Sequence, residues 1–367
     1  MKRVLMTTDA VGGVWTYALD LAAGLAPLGF DTTLVVMGPS PTDDQRQAAN
    51  ARHLDLVDTR LPLDWTAKEP AELLEASAAI RGLARRIGAD LIHLNSPALA
   101  AGGGFPAPVV GACHSCLATW WSAVKEGPMP PDFGWRTQAL WRGLVACDAL
   151  VAPTHAFAAA VARTYEVPIP FVVHNGRVAA PAPTARQTPI LFTSGRLWDE
   201  GKNVTVLDTA AGAIDAPFYA AGPVTGPNGA SLRPLINLRP LASLAPEEIR
   251  AWLARASIYA SSALYEPFGL GVLEAAQAGC ALVLSDIPTF RELWDGAAVF
   301  ADTRSPEAFA AAFGRLLADG AEMQRLGRLA QARARSFEAA PMAAGVAAIY
   351  DHLLAIRPAA QRAEAAA

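Results

Sequence analysis

Short apolar runs alternate with amphipathic stretches along the first half of the chain. The length and composition of these runs are typical of buried strands. They are Val4–Thr8, Thr33–Met37, Leu91–Leu94, Val109–Cys113, Leu150–Ala152 and Phe171–Val173. Between the first two runs, apolar residues recur at spacings of four and three, which predicts a helix that ends at Gly29. Strands that alternate with helices in this way favour a parallel sheet covered on both faces.

The same alternation restarts after residues 177–189, a segment rich in proline and small residues that we interpret as a linker. Strands are predicted beyond it at Ile190–Thr193, Phe218–Ala221, Ile258–Ser261, Ala281–Ser285 and Ala298–Ala301. Helices are predicted at Asn203–Ala211, Pro246–Ala256, Gly269–Ala278 and Pro306–Ala318. The last helix has a clear start, because Ser305 can cap it and Pro306 suits the first helical position.

A length of 367 residues fits two domains of roughly 150 residues or more. The pattern predicts an α/β protein with two doubly wound, Rossmann-like domains that face each other across a cleft. We assign residues 1–180 to the first domain and residues 181–345 to the second. Residues 346–367 are expected to form a helix that crosses back to the first domain, followed by a tail.

Composition excludes several classes of protein. Hydrophobic residues make up 52% of the chain and charged residues 17%, which is too apolar for a disordered protein. Thirty basic residues face 34 acidic ones, so no basic field is available to hold nucleic acid. The chain enters its first strand without a signal-like pattern, which predicts a cytoplasmic protein. No apolar run approaches the roughly 20 residues of a membrane span, and a peripheral position at the inner membrane face has no support from the charge pattern.

The four cysteines do not form a disulfide scaffold in a chain of this length. Cys113 and Cys116 form a C-x-x-C pair, whereas Cys147 and Cys280 stand alone. A redox role would need a thioredoxin-like unit around the pair, and a zinc site would need a second pair. We therefore interpret all four as reduced thiols and predict no metal site, with the role of the C-x-x-C pair left open.

Paired glycines follow the first predicted strand. Gly12 and Gly13 precede a helix, where a backbone without side chains can approach a ligand and direct N–H groups at an anion. The spacing is not that of a dinucleotide fingerprint. A tight turn without a ligand explains the pair equally well.

A second group of residues surrounds the first strand of the second domain. Arg196 leaves that strand and Lys202 stands at the start of the next helix. The segment is not a Walker A loop, because five residues separate Gly195 from Gly201 and Asn203 replaces the metal-binding hydroxyl residue. Only four of the 30 basic residues are lysines, so a lysine within a motif carries weight. Arg196 and Lys202 would clamp a diphosphate, and the alternative is two surface cations.

Two glutamates follow a later strand of the second domain. Glu266 lies on the loop, and Glu274 lies over a turn into the helix that follows. The glycines between them would let backbone N–H groups face a phosphate, and Glu274 could accept hydrogen bonds from a ribose diol. A single carboxylate near a helix N-terminus can simply interact favourably with the positive end of the helix dipole, but that explanation does not account for two glutamates.

His114 follows a strand of the first domain, close to Trp120 and Trp121. A lone histidine is more often structural than functional. Tryptophans at such a position would suit stacking against a sugar, and packing in the core explains them equally well.

Together these residues resemble the family-four retaining glycosyltransferases of the GT-B fold. The most specific match is the segment from Glu266 to Glu274, in which seven residues separate the family's two glutamates. Further matches are Val151–Phe157, His174–Gly176, Ser194–Leu197 followed by Lys202, and Phe218–Pro223. The matches run in order from Gly12 to the terminal helix near Tyr350 and cover nearly the whole chain.

The resemblance implies roles for residues of the second domain. Arg196 and Lys202 would bind the donor diphosphate and offset the charge that develops on it, with Gly195 in the same loop. Glu274 would hold the ribose, and Glu266 would contact the transferred sugar. Backbone amides of Phe268, Gly269 and Leu270 would contact that sugar too.

The resemblance also implies contacts at the sugar, the phosphates and the base. His114 matches a family histidine near the 6-hydroxyl of the sugar, and Gly12 and Gly13 would lie beside the phosphates or the acceptor. Where relatives commonly carry a Leu-Gly pair whose backbone meets the nucleobase, this chain has residues 238–241 (Leu-Arg-Pro-Leu). Leu241 is therefore the expected base contact, and the choice among UDP, GDP and ADP stays open.

The implied reaction is a retaining, metal-independent transfer from a nucleotide-diphosphate sugar to a hydroxyl of an unknown glycan, lipid or metabolite, without a cofactor. Two alternatives remain. A GT-B sugar-nucleotide epimerase shares the architecture, but the spacing of Glu266 and Glu274 favours the transferase. A non-catalytic nucleotide-sugar-binding protein is disfavoured because Arg196, Lys202, Glu266 and Glu274 are all present.

Overall fold

A computed structural model describes residues 1–178, 189–226 and 229–356. Backbone contacts divide the chain into two compact units. Unit 1 contains Met1–Trp121, Glu126–Gly176 and the chain from Ala339 on, and unit 2 contains Ser122–Lys125 and Arg177–Glu338. Most of the predicted linker, residues 179–188, lies outside the described residues.

Unit 1 is built on a parallel sheet. In the described part of the chain its strands are β1 (Lys2–Asp9), β2 (Phe30–Met37), β3 (Asp55–Asp58), β4 (Leu91–Leu94), β5 (Val109–Ala112), β6 (Ala149–Ala152) and β7 (Phe171–Val172). Their order across the sheet is β3-β2-β1-β4-β5-β6-β7. The strand order therefore reverses between β1 and β4, as in a doubly wound sheet, and ligands of such sheets bind beyond the carboxyl ends of the strands at this point.

Helices connect these strands. They are α1 (Gly13–Leu25), α2 (Asp43–Asn50), α3 (Pro70–Ile87), α4 (Leu117–Val124), α5 (Gly134–Ala146) and α6 (His155–Tyr165). The apolar pattern predicts one helix up to Gly29, but α1 ends at Leu25 and a 3-10 turn, Ala26–Leu28, follows. Pro27 lies in that turn and lacks the N–H that another α-helical turn would need. Gly29 then closes the segment with a φ of +88°.

Unit 2 has a second parallel sheet. Its described strands are β8 (Leu191–Ser194), β9 (Phe218–Ala221), β10 (Arg239–Leu241), β11 (Ile258–Ser261), β12 (Ala281–Ser285) and β13 (Ala298–Ala301), in the order β10-β9-β8-β11-β12-β13. Its helices are α7 (Val204–Ala211), α8 (Pro246–Arg255), α9 (Leu270–Gln277), α10 (Pro288–Trp294), α11 (Pro306–Ala318) and α12 (Gly320–Ala334). Successive strand residues enter different cores: Ile258 packs in one cluster and Tyr259 in the other.

Helix α13 (Ala339–Ile356) follows unit 2 in the chain and packs on α1 in unit 1. Its buried residues join the core beside β1 and α1; they are Met342, Ala343, Val346, Ala347, Tyr350 and Leu353. The sequence prediction placed residues 339–345 in the second domain, but they belong to unit 1. The reason is that Met342 and Ala343 already lie in the core of unit 1. The predicted tail, residues 357–367, lies outside the described residues.

By length and composition alone, α13 could cross a membrane, since it has 18 residues and a mean hydropathy of 1.4. The sequence pattern did not indicate this, because Asp351 and His352 interrupt the apolar run. One face of the helix is buried against α1, and a Cβ at Gly24 would lie 2.7 Å from the Cβ of Ala343. That close approach is typical of a core helix.

The predicted elements agree closely with the structure, and the fold is the expected α/β fold with two parallel sheets. The predicted cap of α11 is confirmed, since Oγ of Ser305 accepts a hydrogen bond from the amide of Ala308 at 3.1 Å. Two edge strands were not predicted. β3 reads Asp-Leu-Val-Asp, with a charge at each end, and β10 contains Pro240, which an edge strand tolerates because one row of its amides needs no partner.

Candidate active site

Most of the predicted site residues of unit 2 follow the carboxyl ends of neighbouring strands. Gly195 and Arg196 come directly after β8, Glu266 lies on the loop between β11 and α9, and Leu241 is the last residue of β10. The strands β10, β9, β8 and β11 are consecutive neighbours in one parallel sheet. Since carboxyl ends of parallel strands share one edge, the sheet gathers these residues at the edge where ligands of such folds bind.

Asp199 anchors the loop that carries both predicted cations. One oxygen, Oδ2, lies 3.0 Å from Nη2 of Arg196, and the other accepts a hydrogen bond from the amide of Gly201 at 2.9 Å. The amide of Lys202 in turn donates to the carbonyl oxygen of Asp199 at 2.8 Å. The Asp199 side chain is only 9% exposed, whereas that of Arg196 is 53% exposed. The buried Asp199 therefore holds the loop in place, while the Arg196 side chain stays accessible to an anion.

Lys202 and Glu266, both predicted site residues, form an ion pair. Nζ of Lys202 lies 2.5 Å from Oε2 of Glu266, and their side chains are 25% and 17% exposed. The backbone joins the two loops as well, because the carbonyl oxygen of Gly201 accepts from the amides of Leu264 and Tyr265. A diphosphate bound here would meet a lysine whose position is already fixed by a carboxylate.

Glu274 lies on α9 and pairs with Arg177. Its Oε1 is 3.0 Å from Nη2 of Arg177, and both side chains are mostly buried. The charges of Glu274 and Glu266 both act on the buried hydroxyl of Tyr259, whose pKa is raised by burial above all and next by Glu274. That hydroxyl lies 3.2 Å from Oγ of Ser194, the residue before Gly195. The charges of both glutamates thus act on a hydroxyl that contacts Ser194, the last residue of β8.

Gly195 and Gly222 bring the ends of β8 and β9 into close contact. A Cβ at Gly222 would lie 1.8 Å from the carbonyl oxygen of Gly195, and its φ of +138° is one that other residues rarely adopt. The amide of Gly195 donates to the carbonyl oxygen of Ala221 at 3.0 Å. This contact fixes the point at which the Arg196 loop leaves the sheet.

The segment from Phe268 to Leu270 leads into α9. Gly269 has a φ of +92° and precedes the first helical residue, Leu270. A Cβ at Gly269 would lie 3.1 Å from the ring of Phe290 and 3.3 Å from Cγ of Glu266. Phe268 is buried in the core cluster beneath. Glycine at 269 therefore lets the chain turn tightly beside Glu266.

Leu241 pairs with Ala221 across β10 and β9, one residue before Gly222. Its side chain packs partly buried against the core. The backbone of Leu241 therefore ends β10 at the carboxyl edge of the sheet.

In unit 1, Gly12 caps α1 and Gly13 is its first residue. Gly12 has an extended φ of −162°, and a Cβ there would meet nothing within 4 Å. Neither its φ nor its neighbours require a glycine at this position. The residue is thus compatible with a ligand that approaches the backbone.

His114 belongs to a hydrogen-bonded group in unit 1. Its Nε2 lies 2.7 Å from Oδ1 of Asn95, and Nε2 of His93 lies 3.2 Å from the same oxygen. Burial lowers the pKa of His93 to about 4. Burial, followed by the charge of His93, lowers the pKa of His114 to about 3. The two imidazoles are therefore neutral near pH 7.

Acid is expected to destabilise the protein through His93. Unfolded histidine binds a proton near pH 6.5, whereas folded His93 does not do so until about pH 4, so unfolding takes up a proton in this range. His93 alone should lower the free energy of unfolding by up to about 1.4 kcal/mol per pH unit between about pH 6.5 and 4. Urea unfolding of the wild type and of His93→Gln at several pH values measures this. Equal slopes for the two proteins would contradict the neutral, buried state.

The cysteine and tryptophan features have structural partners. All four cysteines are thiols, and burial raises the pKa of Cys113 and Cys116. Sγ of Cys116 lies 2.8 Å from Oγ1 of Thr119. The rings of Trp121 and Trp120 are tilted against each other, with centroids 6.4 Å apart, and Nε1 of Trp121 donates to the carbonyl oxygen of Gly127. In the described residues no group of three or more His, Cys, Asp or Glu side chains could hold a metal ion.

Sequence reasoning missed four residues that shape these groups: Asn95, Arg177, Asp199 and Gly222. Asn95 and Asp199 each follow a strand, as the predicted residues do, so their position was a usable signal. Arg177 had no signal, because its partner Glu274 lies almost 100 residues further along the chain. Gly222 lies in the matching segment Phe218–Pro223, but that pattern does not indicate its close contact with Gly195.

Two family models match the chain in succession. Residues 11–178 match Glycosyltransferase Family 4, and residues 188–319 match Glycosyl transferases group 1. Every predicted site residue lies within these two ranges. The chain belongs to this family of glycosyltransferases.

Individual relatives agree with this assignment. Phosphatidyl-myo-inositol mannosyltransferase of Propionibacterium freudenreichii subsp. shermanii is 25% identical in an alignment of 322 positions that covers 77% of this chain and 75% of the relative. Sucrose-phosphate synthase from Thermosynechococcus elongatus has a TM-score of 0.80 at 16% identity, covering 97% of this chain and 100% of its own. HepE from Anabaena, in complex with UDP and glucose, has a TM-score of 0.76 at 16% identity, covering 96% and 99%. The structural neighbours establish the GT-B fold.

Proposed function

We propose that this protein transfers a sugar, with retention and without a metal ion, from a nucleotide-diphosphate sugar to a hydroxyl group. The observation that carries the proposal is the arrangement in unit 2, where Lys202 pairs with Glu266 at 2.5 Å and the same loop carries the exposed side chain of Arg196. Family membership supports glycosyl transfer. The complexes of HepE with UDP and with UDP-glucose support a nucleotide-sugar donor.

The proposed chemistry follows from charge. Breaking an anomeric C–O bond produces an oxocarbenium-like sugar and a diphosphate leaving group, so cations fixed beside the diphosphate lower the barrier. Arg196 can bind phosphate oxygens through its planar fork, and Lys202 acts as a point charge. Retention would follow from attack on the face that the diphosphate leaves, with that diphosphate taking the acceptor proton.

Other groups would position the donor. Glu274 would accept hydrogen bonds from the ribose while sharing its carboxylate with Arg177, 3.0 Å away. Glu266, with the amides of Phe268 to Leu270, would contact the sugar. The backbone at Leu241 would meet the base. In unit 1, His114 would contact a substrate hydroxyl and the backbone at Gly12 and Gly13 would approach the substrate.

A thermal-shift titration against UDP, GDP, ADP and CMP tests the donor. A nucleotide at a hundred times its dissociation constant adds about 2.7 kcal/mol of apparent stability. We expect a shift with one diphosphate, which would identify the base. No shift with any of the four would contradict the diphosphate clamp. Product analysis with the matching nucleotide sugar then separates transfer from epimerisation, because an epimerase returns an altered nucleotide sugar.

Activity should persist in excess EDTA. Arg196 and Lys202 supply the positive charge that a divalent metal would otherwise provide at the diphosphate. The measurement is the rate of sugar transfer before and after dialysis against EDTA, with and without added Mg²⁺ or Mn²⁺. A rate that vanishes with the chelator and returns with the metal would refute the metal-independent mechanism.

A further inference from the structure

A continuous chain of hydrogen bonds runs from α13 to His114 within unit 1. The hydroxyl of Tyr350 lies 2.7 Å from Nδ1 of His93, and Nε2 of His93 lies 3.2 Å from Oδ1 of Asn95. The same oxygen lies 2.7 Å from Nε2 of His114. Tyr350 and His93 are completely buried, so these groups have no solvent to replace a missing partner.

The orientation of the Asn95 amide is set by a backbone group. Its Nδ2 lies 2.7 Å from the carbonyl oxygen of Thr7, which can only accept a hydrogen bond. Nδ2 therefore faces β1, and Oδ1 must face the two imidazoles. The amide of Asn95 also donates to Oγ1 of Thr7 at 3.0 Å, which holds the residue in place from its main chain.

That orientation determines the protonation of both imidazoles. Oδ1 of Asn95 accepts, so His93 and His114 must each carry a proton on Nε2. Nδ1 of His93 is then an acceptor, and the Tyr350 hydroxyl donates to it. By the same logic Nδ1 of His114 carries a lone pair. A neutral imidazole in this tautomer can accept a hydrogen bond from a hydroxyl and cannot pair with a phosphate as a cation would.

We propose that Asn95, His93 and Tyr350 are positioning residues that hold His114 as a neutral imidazole protonated on Nε2, so that its Nδ1 accepts a hydrogen bond from a substrate hydroxyl. The identity of that hydroxyl rests on the proposed function, whereas the tautomer does not. Tyr17 encloses the group from α1, with its ring centroid 4.5 Å from that of His114 and 6.2 Å from that of His93. Tyr350 thus links α13 to His114 indirectly, through His93 and Asn95.

The tautomer is tested directly on the wild-type protein. Long-range ¹H–¹⁵N spectra of protein labelled with ¹⁵N-histidine report the protonation of each ring nitrogen. Spectra of His93→Gln and His114→Gln assign the two residues among the six histidines. We expect both to be neutral with the proton on Nε2 near pH 7. A proton on Nδ1 of His114, or a charged imidazole there, would overturn the proposal.

Two variants test the transmission to His114. Asn95→Leu keeps a similar shape and removes the shared acceptor, so His114 should populate both tautomers. Tyr350→Phe removes only the terminal hydroxyl and should therefore shift the ¹⁵N resonance of the His93 Nδ1, which loses its hydrogen-bond donor. It should also lower kcat/KM for the nucleotide sugar about fivefold, the equivalent of one neutral hydrogen bond. Tyr165→Phe is the matched control, because it removes another buried tyrosine hydroxyl of unit 1 and should change neither spectrum nor rate.

Affinity for the nucleotide without its sugar separates positioning from general damage. In both variants the dissociation constant of the nucleoside diphosphate should stay unchanged while that of the nucleotide sugar rises. Equal losses for both ligands, or spectra unaffected by Tyr350→Phe, would overturn the proposal. If Asn95→Leu does not fold, Tyr350→Phe decides. If no nucleotide sugar is bound or turned over, the proposed function fails, and the tautomer spectra alone decide the positioning role.

Discussion

Lys202→Ala is expected to lower the rate of sugar transfer by roughly 100- to 1,000-fold, the range seen when one fixed group that stabilises transition-state charge is removed. Nζ of Lys202 is held 2.5 Å from Glu266, so its charge stands at a defined place when the diphosphate departs. The loss should appear mainly in kcat, because the charge on the leaving group is greatest in the transition state. Steady-state kinetics with the nucleotide sugar identified by thermal shift measure it.

Two controls sharpen this experiment. Lys68→Ala removes an exposed lysine of unit 1 and should leave the rate unchanged. Lys202→Arg keeps the charge but changes its geometry, so it should recover part of the rate. Circular dichroism must show that Lys202→Ala is folded, since it leaves Glu266 without its cation. A folded Lys202→Ala variant with nearly normal kcat would remove Lys202 from the mechanism.

Gly222→Ala is expected to destabilise the protein by about 3 kcal/mol, because it combines backbone strain with an overlap that side chains cannot relieve. The new Cβ would lie 1.8 Å from the carbonyl oxygen of Gly195, a backbone atom that cannot move aside as a side chain could. The ends of β8 and β9 would have to separate, which would displace the Arg196 loop. Urea unfolding measures the stability, and titration with the nucleoside diphosphate should show weaker binding.

Gly314→Ala provides the matched control in unit 2. Gly314 lies on the exposed side of α11, and a Cβ there would meet nothing within 4 Å. Alanine is the better helix former by about 0.5–1 kcal/mol, so this variant should be slightly more stable and bind the nucleotide normally. If Gly222→Ala behaved like Gly314→Ala, the close contact between the two strand ends would not be required.

Local patterns predicted the parts of the fold whose signals are local. The start of α11 was read from Ser305 and Pro306, and the bounds of β9, β11 and β12 from short apolar runs between breakers. The edge strands β3 and β10 were not predicted, because they are partly exposed and therefore contain charged residues and Pro240. Their strand structure depends on a neighbouring strand and not on their own composition.

The candidate site divides in the same way. Arg196, Lys202 and Glu266 were found because each lies where a strand hands over to a helix, and that position is visible in the sequence. The pairing of Glu274 with Arg177 was not predictable, because it joins residues far apart in the chain. The tautomer of His114 was even less accessible, since it depends on an amide oriented by the carbonyl of Thr7.

The position of α13 has a consequence for biosynthesis. A ribosome releases β1 and α1 first, yet the core they belong to also requires Met342, Val346 and Tyr350, which are made after all of unit 2. Unit 2 is continuous from Arg177 to Glu338, so it can complete its cores before α13 is available to cover the apolar face of α1. Domains usually mature in the order of their synthesis. In this chain, unit 1 begins to emerge before unit 2 but can complete its core only after unit 2 has been made.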